Sequence, residues 1–174
     1  DTPGNPVADI APAREHLIPT LKTMRKINPG LQVIATPWSA PAWMKTSNSL
    51  IKGRLKPEHY GSFARYLVSY TQAMRKAGAP VDILTIQNEP HFEPDNYPGM
   101  RVEPAERAAF IANHLGPLMR RSLPGTKLLD WDHNWDQPES PTTVLSDAKA
   151  AAFIDGVAWH CYAGDVAAQS VVRD

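Results

Sequence analysis

The chain has 174 residues, a formal net charge of zero and 21% charged side chains. This length suits one ordinary domain with a sizeable core, and the neutral balance argues against nucleic acid or an anionic membrane as a partner. No apolar run approaches the roughly 18 residues that cross a bilayer, so stable membrane insertion is not expected. A single cysteine, Cys161, excludes an internal disulfide framework, and its apolar surroundings predict a small core residue.

The first predicted elements are an amphipathic helix and a strand. Residues 13–28 carry Leu17, Leu21 and Met24 at a spacing of four and then three, which places them on one helical face. A Pro-Gly pair ends this helix. Residues 31–35 then form a short strand, which is continuous in apolar character as buried parallel strands are.

The loop that follows, TPWSAPAWMKT, contains two tryptophans and two prolines that oppose regular structure. An aromatic ring on a strand-end loop suits the apolar face of a sugar, but such a ring can equally pack under its own loop. Both interpretations stay open for Trp38, which is nearer the strand end, whereas packing is favoured for Trp43.

The second helix has the strongest periodicity in the chain. It begins at Pro57 and ends before Gly78, and its apolar face is formed by residues that recur at threes and fours, namely Tyr60, Phe63, Leu67, Tyr70 and Met74. An apolar strand at residues 81–87 follows, so strand, helix and strand alternate as a βαβ unit requires.

A carboxylate stands where this strand stops, in the tripeptide Asn88, Glu89 and Pro90. Because the C-terminal strand ends of an α/β barrel collect the catalytic residues, catalysis is favoured for Glu89 over a simple cap of the following loop. The amide of Asn88 could hold a substrate hydroxyl while the acid acts on the neighbouring bond.

The rest of the chain repeats the pattern. A third helix begins at Pro104, a third strand occupies residues 127–130, a helix capped by Ser140 breaks at Asp147, and a fourth strand occupies residues 156–160. Four neighbouring strand ends on one surface indicate a barrel active site, and the sequence lacks the Gly-rich phosphate loop of a doubly wound sheet. The polar and aromatic residues at these ends are Trp38, Asn88, Glu89, His133, Asn134, Trp135, His160 and Tyr162.

The motifs TPWSAPAWMKT, TIQNEP, LDWDHNW and AWHCYAG resemble, in this order and spacing, glycoside hydrolase family 30, which includes glucosylceramidases and β-1,6-glucanases. The resemblance covers nearly the whole chain. It implies an α/β fold that is part of a (β/α)8 TIM barrel, and a retaining β-glycosidase of carbohydrate or sphingolipid metabolism. No cofactor or metal is expected, and a secreted or extracellular location is suggested by the resemblance only.

The resemblance also implies roles for particular residues. Glu89 corresponds to the acid/base that protonates the leaving glycosidic oxygen and then deprotonates water, and Asn88 to the amide that holds the sugar 2-hydroxyl. Trp38 corresponds to the aromatic wall of the subsite for the non-reducing sugar. The other substrate-binding residues that it implies are Tyr97 at the entrance and, as lining residues, His133, His160 and Tyr162.

The chain departs from the family in its second carboxylate. A retaining glycosidase needs a nucleophile about 5 to 5.5 Å from the acid; in this family it follows the seventh strand, and nothing like that motif occurs here. The four strands correspond to about the third through sixth of the barrel. We therefore expect residues 1–174 to be a partial catalytic barrel without the first, seventh and eighth strands or a β-sandwich domain, and to be inactive in isolation.

A different pairing could use a carboxylate within the chain. Asp132, Asp136, Asp165 and Glu93 all lie near predicted strand ends. Any of them could approach Glu89 as in an inverting enzyme, where the two carboxyl groups stand ~6.5 to 9.5 Å apart around a water molecule.

A metal site built from Asp132, His133, His160 and Cys161 is disfavoured. Their spacing lacks the tight ligand pairs that are typical of zinc sites. Strand alternation also turns Cys161 away from the side on which His160 points.

The predicted function is glucosylceramidase-like hydrolysis of β-glucosidic bonds, with a β-glucoside or β-glucan as the substrate. The alternative within the family is an endo-β-1,6-glucanase, and the run His133, Asn134, Trp135 leans towards polysaccharide-active members. The alternative from another class is a sugar-binding module without turnover.

Overall fold

A computed structural model describes Thr2 and residues 4–173. The strands of its central parallel sheet lie side by side in chain order, and every neighbouring pair is parallel. Each strand therefore pairs with the one before it in the sequence, as in a barrel wall. The four strands are β1 (Ile34–Ala35), β2 (Ile83–Thr85), β3 (Lys127–Asn134) and β4 (Gly156–His160).

Helices precede, connect and follow the strands. A five-residue π-helical turn, Ile111–Leu115, joins the two helices between β2 and β3. The predicted alternation of strand and helix is confirmed. In chain order the helices are α1 (Ala11–Glu15), α2 (Leu17–Ile27), α3 (Tyr60–Lys76), α4 (Pro104–Phe110), α5 (Gly116–Ser122), α6 (Glu139–Leu145), α7 (Ala148–Ala151) and α8 (Ala168–Arg173).

The apolar stripe of α3 is buried as its spacing predicts. Phe63 and Leu67 on this helix are 1% and 3% exposed. They belong to one core cluster with Leu84 of β2 and Leu128 of β3. Full burial of one such side chain contributes about 1.5 to 3 kcal/mol to stability, so this cluster attaches α3 to the sheet.

The strands differ in length from their predicted bounds. Regular pairing of β1 with β2 begins only at Ile34, because the carbonyl of Val33 accepts from the amides of both Asp82 and Ile83. β3 extends beyond its predicted end at residue 130, since it stays paired with β4 up to Asn134.

The predicted cap at Ser140 is wrong, whereas the predicted break at Asp147 is confirmed. Ser140 lies inside α6, is buried, and accepts a hydrogen bond from the guanidinium of Arg107. Asp147 separates α6 from α7, and its carboxylate accepts from the amides of Lys149 and Ala150 at the start of α7.

Two burial predictions are also wrong. Leu17 and Met24 on α2 are 46% and 44% exposed, and the buried residue of this helix is Ile18. Leu17 lines an open apolar groove of about 420 Å³ beside Ile34. Cys161 is exposed because it directly follows β4, an edge strand of the described sheet.

None of the helices among the described residues is long and apolar enough to cross a membrane.

Candidate active site

The C-terminal ends of β2, β3 and β4 bring three titratable side chains together, those of Glu89, Asp132 and His160. Glu89 follows β2 with a left-handed backbone at φ 47°. Its amide donates to the carbonyl of Asp132 at 2.9 Å, and the amide of Asn88 donates to the carbonyl of Pro37 at 2.8 Å. The neighbouring segments on both sides therefore hold the Asn-Glu turn in a conformation that is uncommon for a residue with a side chain.

His160 bridges the two carboxylates. Its Nδ1 lies 3.1 Å from Oε1 of Glu89, and its Nε2 lies 2.9 Å from Oδ1 of Asp132. The side chains of His160 and Glu89 are 20% and 18% exposed, so both reach the protein surface. The sequence predicts His160 as a lining residue, and the structure places it in direct contact with the predicted acid.

Two threonines contact the far oxygen of Asp132. The hydroxyls of Thr36, just after β1, and Thr85, the last residue of β2, both contact Oδ2; the distance from Thr85 is 2.7 Å. Neither threonine is among the site residues predicted from the sequence. The signal that could have found them is that each stands at a strand end next to the predicted site.

A β-bulge in β3 determines where Asp132 points. Trp131 and Asp132 have positive φ angles of 74° and 55°, and the pairing with β4 shifts register between Trp131 and His133. In a regular strand Asp132 would point the same way as Asp130. The bulge breaks that alternation, so that Asp130 contacts Arg107 while Asp132 contacts His160.

Arg107 on α4 supports the bulge from behind. It is fully buried, and its Nε donates to Oδ1 of the equally buried Asp130 at 2.9 Å. It also donates to Oγ of Ser140 at 2.8 Å, and its guanidinium lies 5.2 Å from the ring centre of Trp131. Burial lowers the pKa of the adjacent His91, which favours a neutral ring beside this cation.

Trp38 and Tyr97 form an exposed aromatic pair. Their ring centres lie 5.5 Å apart at an angle of 56°, and the two residues are 47% and 38% exposed. The buried amide of Gln87 donates to the carbonyls of Trp38 and Asn88, at 2.7 and 2.9 Å. Gln87, which is predicted to be part of an apolar strand, thus ties the Trp38 loop to the Asn-Glu turn.

Trp43 packs inward, as predicted. It is partly buried against the main core cluster and makes an edge-to-face contact with His59 at 5.0 Å.

A buried lysine connects the two loops that carry the aromatic pair. Nζ of Lys45 donates at 2.8 Å to Oγ of Ser39 and to the carbonyl of Gly99. Burial lowers the pKa of Lys45 to about 8. Its ammonium form has three protons to donate, so Lys45 links the loop that carries Trp38 to the loop that carries Tyr97.

The other two predicted lining residues differ in exposure. His133 is 7% exposed, its Nδ1 has no hydrogen-bond partner among the described residues, and burial lowers its pKa. Its ring centre is 6.3 Å from that of His160. Tyr162 is 80% exposed and makes an edge contact with His160 at 5.7 Å.

The alternative carboxylates have other partners or are exposed. The imidazole of His160 lies between Glu89 and Asp132. Glu93 accepts from the amide of Gly53 at 3.0 Å. Asp136 and Asp165 are exposed, and Asp165 accepts from the amide of Ala167.

The structure brings together three groups that could ligate a metal, Glu89, His133 and His160, whose ligand atoms lie within 4.8 Å of one another. Both nitrogens of His160 already face carboxylate oxygens, at 3.1 and 2.9 Å. A metal would have to displace one of these contacts, so the geometry suits a hydrogen-bonded acid better than a metal centre. Cys161, considered above as a ligand, is not in this group.

A family comparison identifies the chain. Residues 12–173 match the glycosyl hydrolase family 30 TIM-barrel domain, and the chain belongs to this family. It is 39% identical over 150 residues to endo-1,6-beta-D-glucanase of Neurospora crassa and 41% identical over 161 residues to endo-1,6-beta-D-glucanase neg1 of Aspergillus fumigatus; both matches cover 84% of the chain. It is 32% identical over 144 residues, 76% of the chain and 27% of the relative, to lysosomal acid glucosylceramidase of Mus musculus. The chain spans about a third of the length of the two fungal relatives, 31% and 33%.

Solved structures agree in fold. The endo-beta1,6-glucanase BT3312 superposes with a TM-score of 0.87 at 31% identity, covering 92% of this chain and 38% of that chain. SrfJ from Salmonella typhimurium superposes with a TM-score of 0.85 at 30% identity, covering 92% and 37%. The predicted α/β fold, part of a (β/α)8 barrel of family 30, is confirmed.

Proposed function

We propose that this chain carries the acid/base half of a retaining β-glycosidase, with Glu89 as the acid/base. The observation that carries the proposal is the position of Glu89: its partly exposed carboxylate stands at the C-terminal end of β2 and contacts His160 at the end of β4. Residues at these strand ends perform the chemistry in barrel enzymes. Family membership of residues 12–173 supports the same assignment.

The nucleophile is proposed to come from a strand outside this sequence. Retention requires a second carboxylate about 5 to 5.5 Å from the acid. Within the described residues, the carboxylate that hydrogen bonds connect to Glu89 through a single residue is that of Asp132, and the residue between them is His160. We accordingly propose that residues 1–174 form the middle of a larger catalytic barrel and do not turn over substrate alone.

The substrate is proposed to bind along the cleft between the aromatic pair and the bridge formed by His160. The exposed rings of Trp38 and Tyr97 offer an apolar wall for a sugar face. Asn88, held against Pro37 beside Glu89, is proposed to take the sugar 2-hydroxyl. His133 and Tyr162, whose rings both contact that of His160, complete the proposed lining.

For the substrate class we propose a β-1,6-linked glucan that is cleaved at internal glycosidic bonds. Three fungal relatives named endo-1,6-beta-D-glucanase are 37% to 41% identical to this chain, and the solved endo-beta1,6-glucanase BT3312 superposes closely. Hydrolysis of glucosylceramide is the second candidate, supported by the 32% identity to the mouse glucosylceramidase. A sugar-binding module without turnover remains the candidate from another class.

Substrate assays test the proposal. The full-length protein that contains residues 1–174 is the enzyme used in this assay and in the kinetic measurements below. It should release oligosaccharides from a soluble β-1,6-glucan faster than it releases glucose from glucosylceramide in mixed micelles, and the first products should keep the β-anomeric configuration. Residues 1–174 alone should release neither product. Faster turnover of glucosylceramide would favour the second candidate. Inverted products would overturn the retaining mechanism, and binding of the glucan without turnover would favour the sugar-binding module.

The aromatic wall gives a paired prediction. Trp38→Ala should raise KM for the glucan with little change in Tm, because Trp38 is 47% exposed. Trp43→Ala should instead lower the free energy of unfolding, on the order of 2 kcal/mol or more, since Trp43 packs against the core. Glucan kinetics and thermal unfolding of both variants provide the comparison, and the reverse pattern would exchange the two roles.

A further inference from the structure

We propose that Asp132 is a positioning residue that keeps His160 doubly protonated, so that Nδ1–H of His160 holds one oxygen of Glu89 and the other oxygen is aimed at the glycosidic bond. This inference rests on the proposed function of Glu89. It concerns the hydrogen-bonded series from Thr36 and Thr85 through Asp132 and His160 to Glu89.

Each contact in this series needs a proton on one of its two partners. A carboxylate only accepts hydrogen bonds, and a ring nitrogen of histidine donates only if it carries a proton. Oδ2 of Asp132 contacts the hydroxyls of both Thr36 and Thr85. The two hydroxyls also contact each other at 2.7 Å, and either of them can donate to Oδ2. With Asp132 as a carboxylate, the 2.9 Å contact of its Oδ1 with His160 requires a proton on Nε2.

Nδ1 of His160 faces Glu89, whose protonation changes during the reaction. In the first half-reaction a proton leaves one oxygen of Glu89 for the glycosidic oxygen while the C1–O bond breaks and the nucleophile carboxylate bonds to C1. In the second, water bonds to C1, the bond to the nucleophile breaks, and a proton of that water returns to Glu89. If the reacting oxygen of Glu89 is Oε2, then Oε1 carries no proton in either half.

The contact between Oε1 and Nδ1 of His160, at 3.1 Å, is therefore a hydrogen bond in both halves only if Nδ1 donates. With protons on both nitrogens, His160 is an imidazolium whose charge is balanced by Asp132. The ring then keeps the same two donors through the cycle, while Glu89 alternates between acid and base. This arrangement prevents rotation of the Glu89 carboxyl and needs no reorganisation at the moment of reaction.

The groups that face the ring from each neighbouring element agree with this assignment. Glu89 approaches from the end of β2 and Asp132 from β3, and both are acidic. His133 also faces the ring from β3, but burial lowers its pKa and favours its neutral form. Tyr162, which follows β4, contributes the edge of its ring.

Removing the charge of Asp132 tests the role. In the Asp132→Asn variant the side chain keeps its size and can still bond to Thr36 and Thr85, but the imidazolium loses its counter-ion. We expect kcat on the glucan to fall by up to about 10²-fold with a smaller change in KM, and the basic limb of the pH–rate profile to move to lower pH. The matched control is Asp9→Asn at an exposed aspartate of the N-terminal segment, which keeps its acceptor for the amide of Ala11 and should leave both unchanged.

A second measurement separates this inference from the proposed function. The ¹⁵N chemical shifts of the His160 ring report protonation of each nitrogen without any need for turnover. At neutral pH both nitrogens should be protonated in the wild type, and one should lose its proton in Asp132→Asn. A singly protonated ring in the wild type would overturn the inference, even if Glu89 proves to be the acid.

A doubly protonated ring in a protein whose turnover does not depend on Glu89 would keep the inference about His160 and reject the proposed function. If Asp132→Asn is poorly folded, Thr85→Val removes one hydroxyl from Oδ2 and leaves the charge in place. Its basic limb should shift the opposite way, to higher pH, because a carboxylate that has lost a donor holds the imidazolium more strongly. Wild-type kcat and pH profiles in both folded variants would overturn the positioning role.

Discussion

Replacement of Glu89 by glutamine is expected to lower turnover of natural glycosides by about 10² to 10⁴-fold, which is the usual contribution of a general acid. Glutamine keeps the shape of the side chain and can still accept a hydrogen bond from Nδ1 of His160, so the bridge itself should survive. The variant cannot give a proton to the leaving oxygen. Activated aryl β-glucosides, whose leaving groups need no proton, should therefore keep most of the first step.

Pre-steady-state kinetics with the two kinds of leaving group provide the measurement. On an activated aryl glucoside the Glu89→Gln variant should release the aryl group in a burst and then slow down, because the second step still needs a base. Glu139→Gln, at an exposed glutamate of α6, is the matched control. Equal losses for good and poor leaving groups would indicate that Glu89 is structural or is the nucleophile.

The position of Glu89 could be predicted from sequence because it depends on local patterns. An apolar run that ends in Asn-Glu-Pro defines a strand and its exit, and the α3 stripe defines the helix that precedes it. The boundaries of β4 agree with the prediction for the same reason, since Gly156 begins an apolar run that ends at His160. Such patterns place a residue at a strand end, and parallel pairing then brings the ends together.

The role of Asp132 could not be predicted in the same way. Two consecutive residues of β3, Trp131 and Asp132, adopt left-handed backbone angles. The sequence does not signal this at position 131, because the residue there is a tryptophan rather than the glycine or asparagine that favours such angles. The predicted third strand ends at residue 130 and leaves Asp132 in the loop that follows, whereas β3 continues to Asn134 and Asp132 contacts His160. The apolar surroundings of Cys161 predict a core residue, but Cys161 is exposed. The bridge formed by His160 depends on this bulge, so it became visible only in the structure.

Long-range polar contacts were missed for a related reason. Ser140 followed by Pro141 has the usual pattern of a helix start, but the hydroxyl of Ser140 is taken by Arg107, 33 residues earlier. Likewise, Lys45 looks like a surface residue in sequence, yet it is buried and donates to Gly99, 54 residues later. Local sequence patterns predict contacts between residues that are close in the sequence. The partners of Ser140 and Lys45 are distant in the sequence and depend on how the loops meet in space.

Removal of the arginine behind the bulge should have the largest effect on stability. Arg107→Met would leave Asp130 fully buried without its cation, and the loss of one partner of a buried ion pair typically costs about 3 to 5 kcal/mol. Trp131 would also lose the guanidinium that lies over its ring. Because Trp131 and Asp132 share the bulge, the variant should lose activity before it unfolds globally.

A double variant separates the loss of stability caused by the unpaired charge of Asp130 from the loss caused by a shorter side chain at position 107. Urea unfolding should show a large drop for Arg107→Met, and most of that stability should return in the double variant Arg107→Met/Asp130→Leu, in which no buried charge is left unpaired. Arg65→Met, at an exposed arginine of α3, is the control and should change the free energy of unfolding by less than about 0.5 kcal/mol. Recovery of stability without recovery of kcat would show that the Arg107–Asp130 pair is kept for the geometry of the bulge. The apolar pair can fill the same space, but it cannot hold Ser140 and the ring of Trp131 in place. An Arg107→Met protein as stable and as active as the wild type would instead show that the bulge is fixed by the β3–β4 pairing alone.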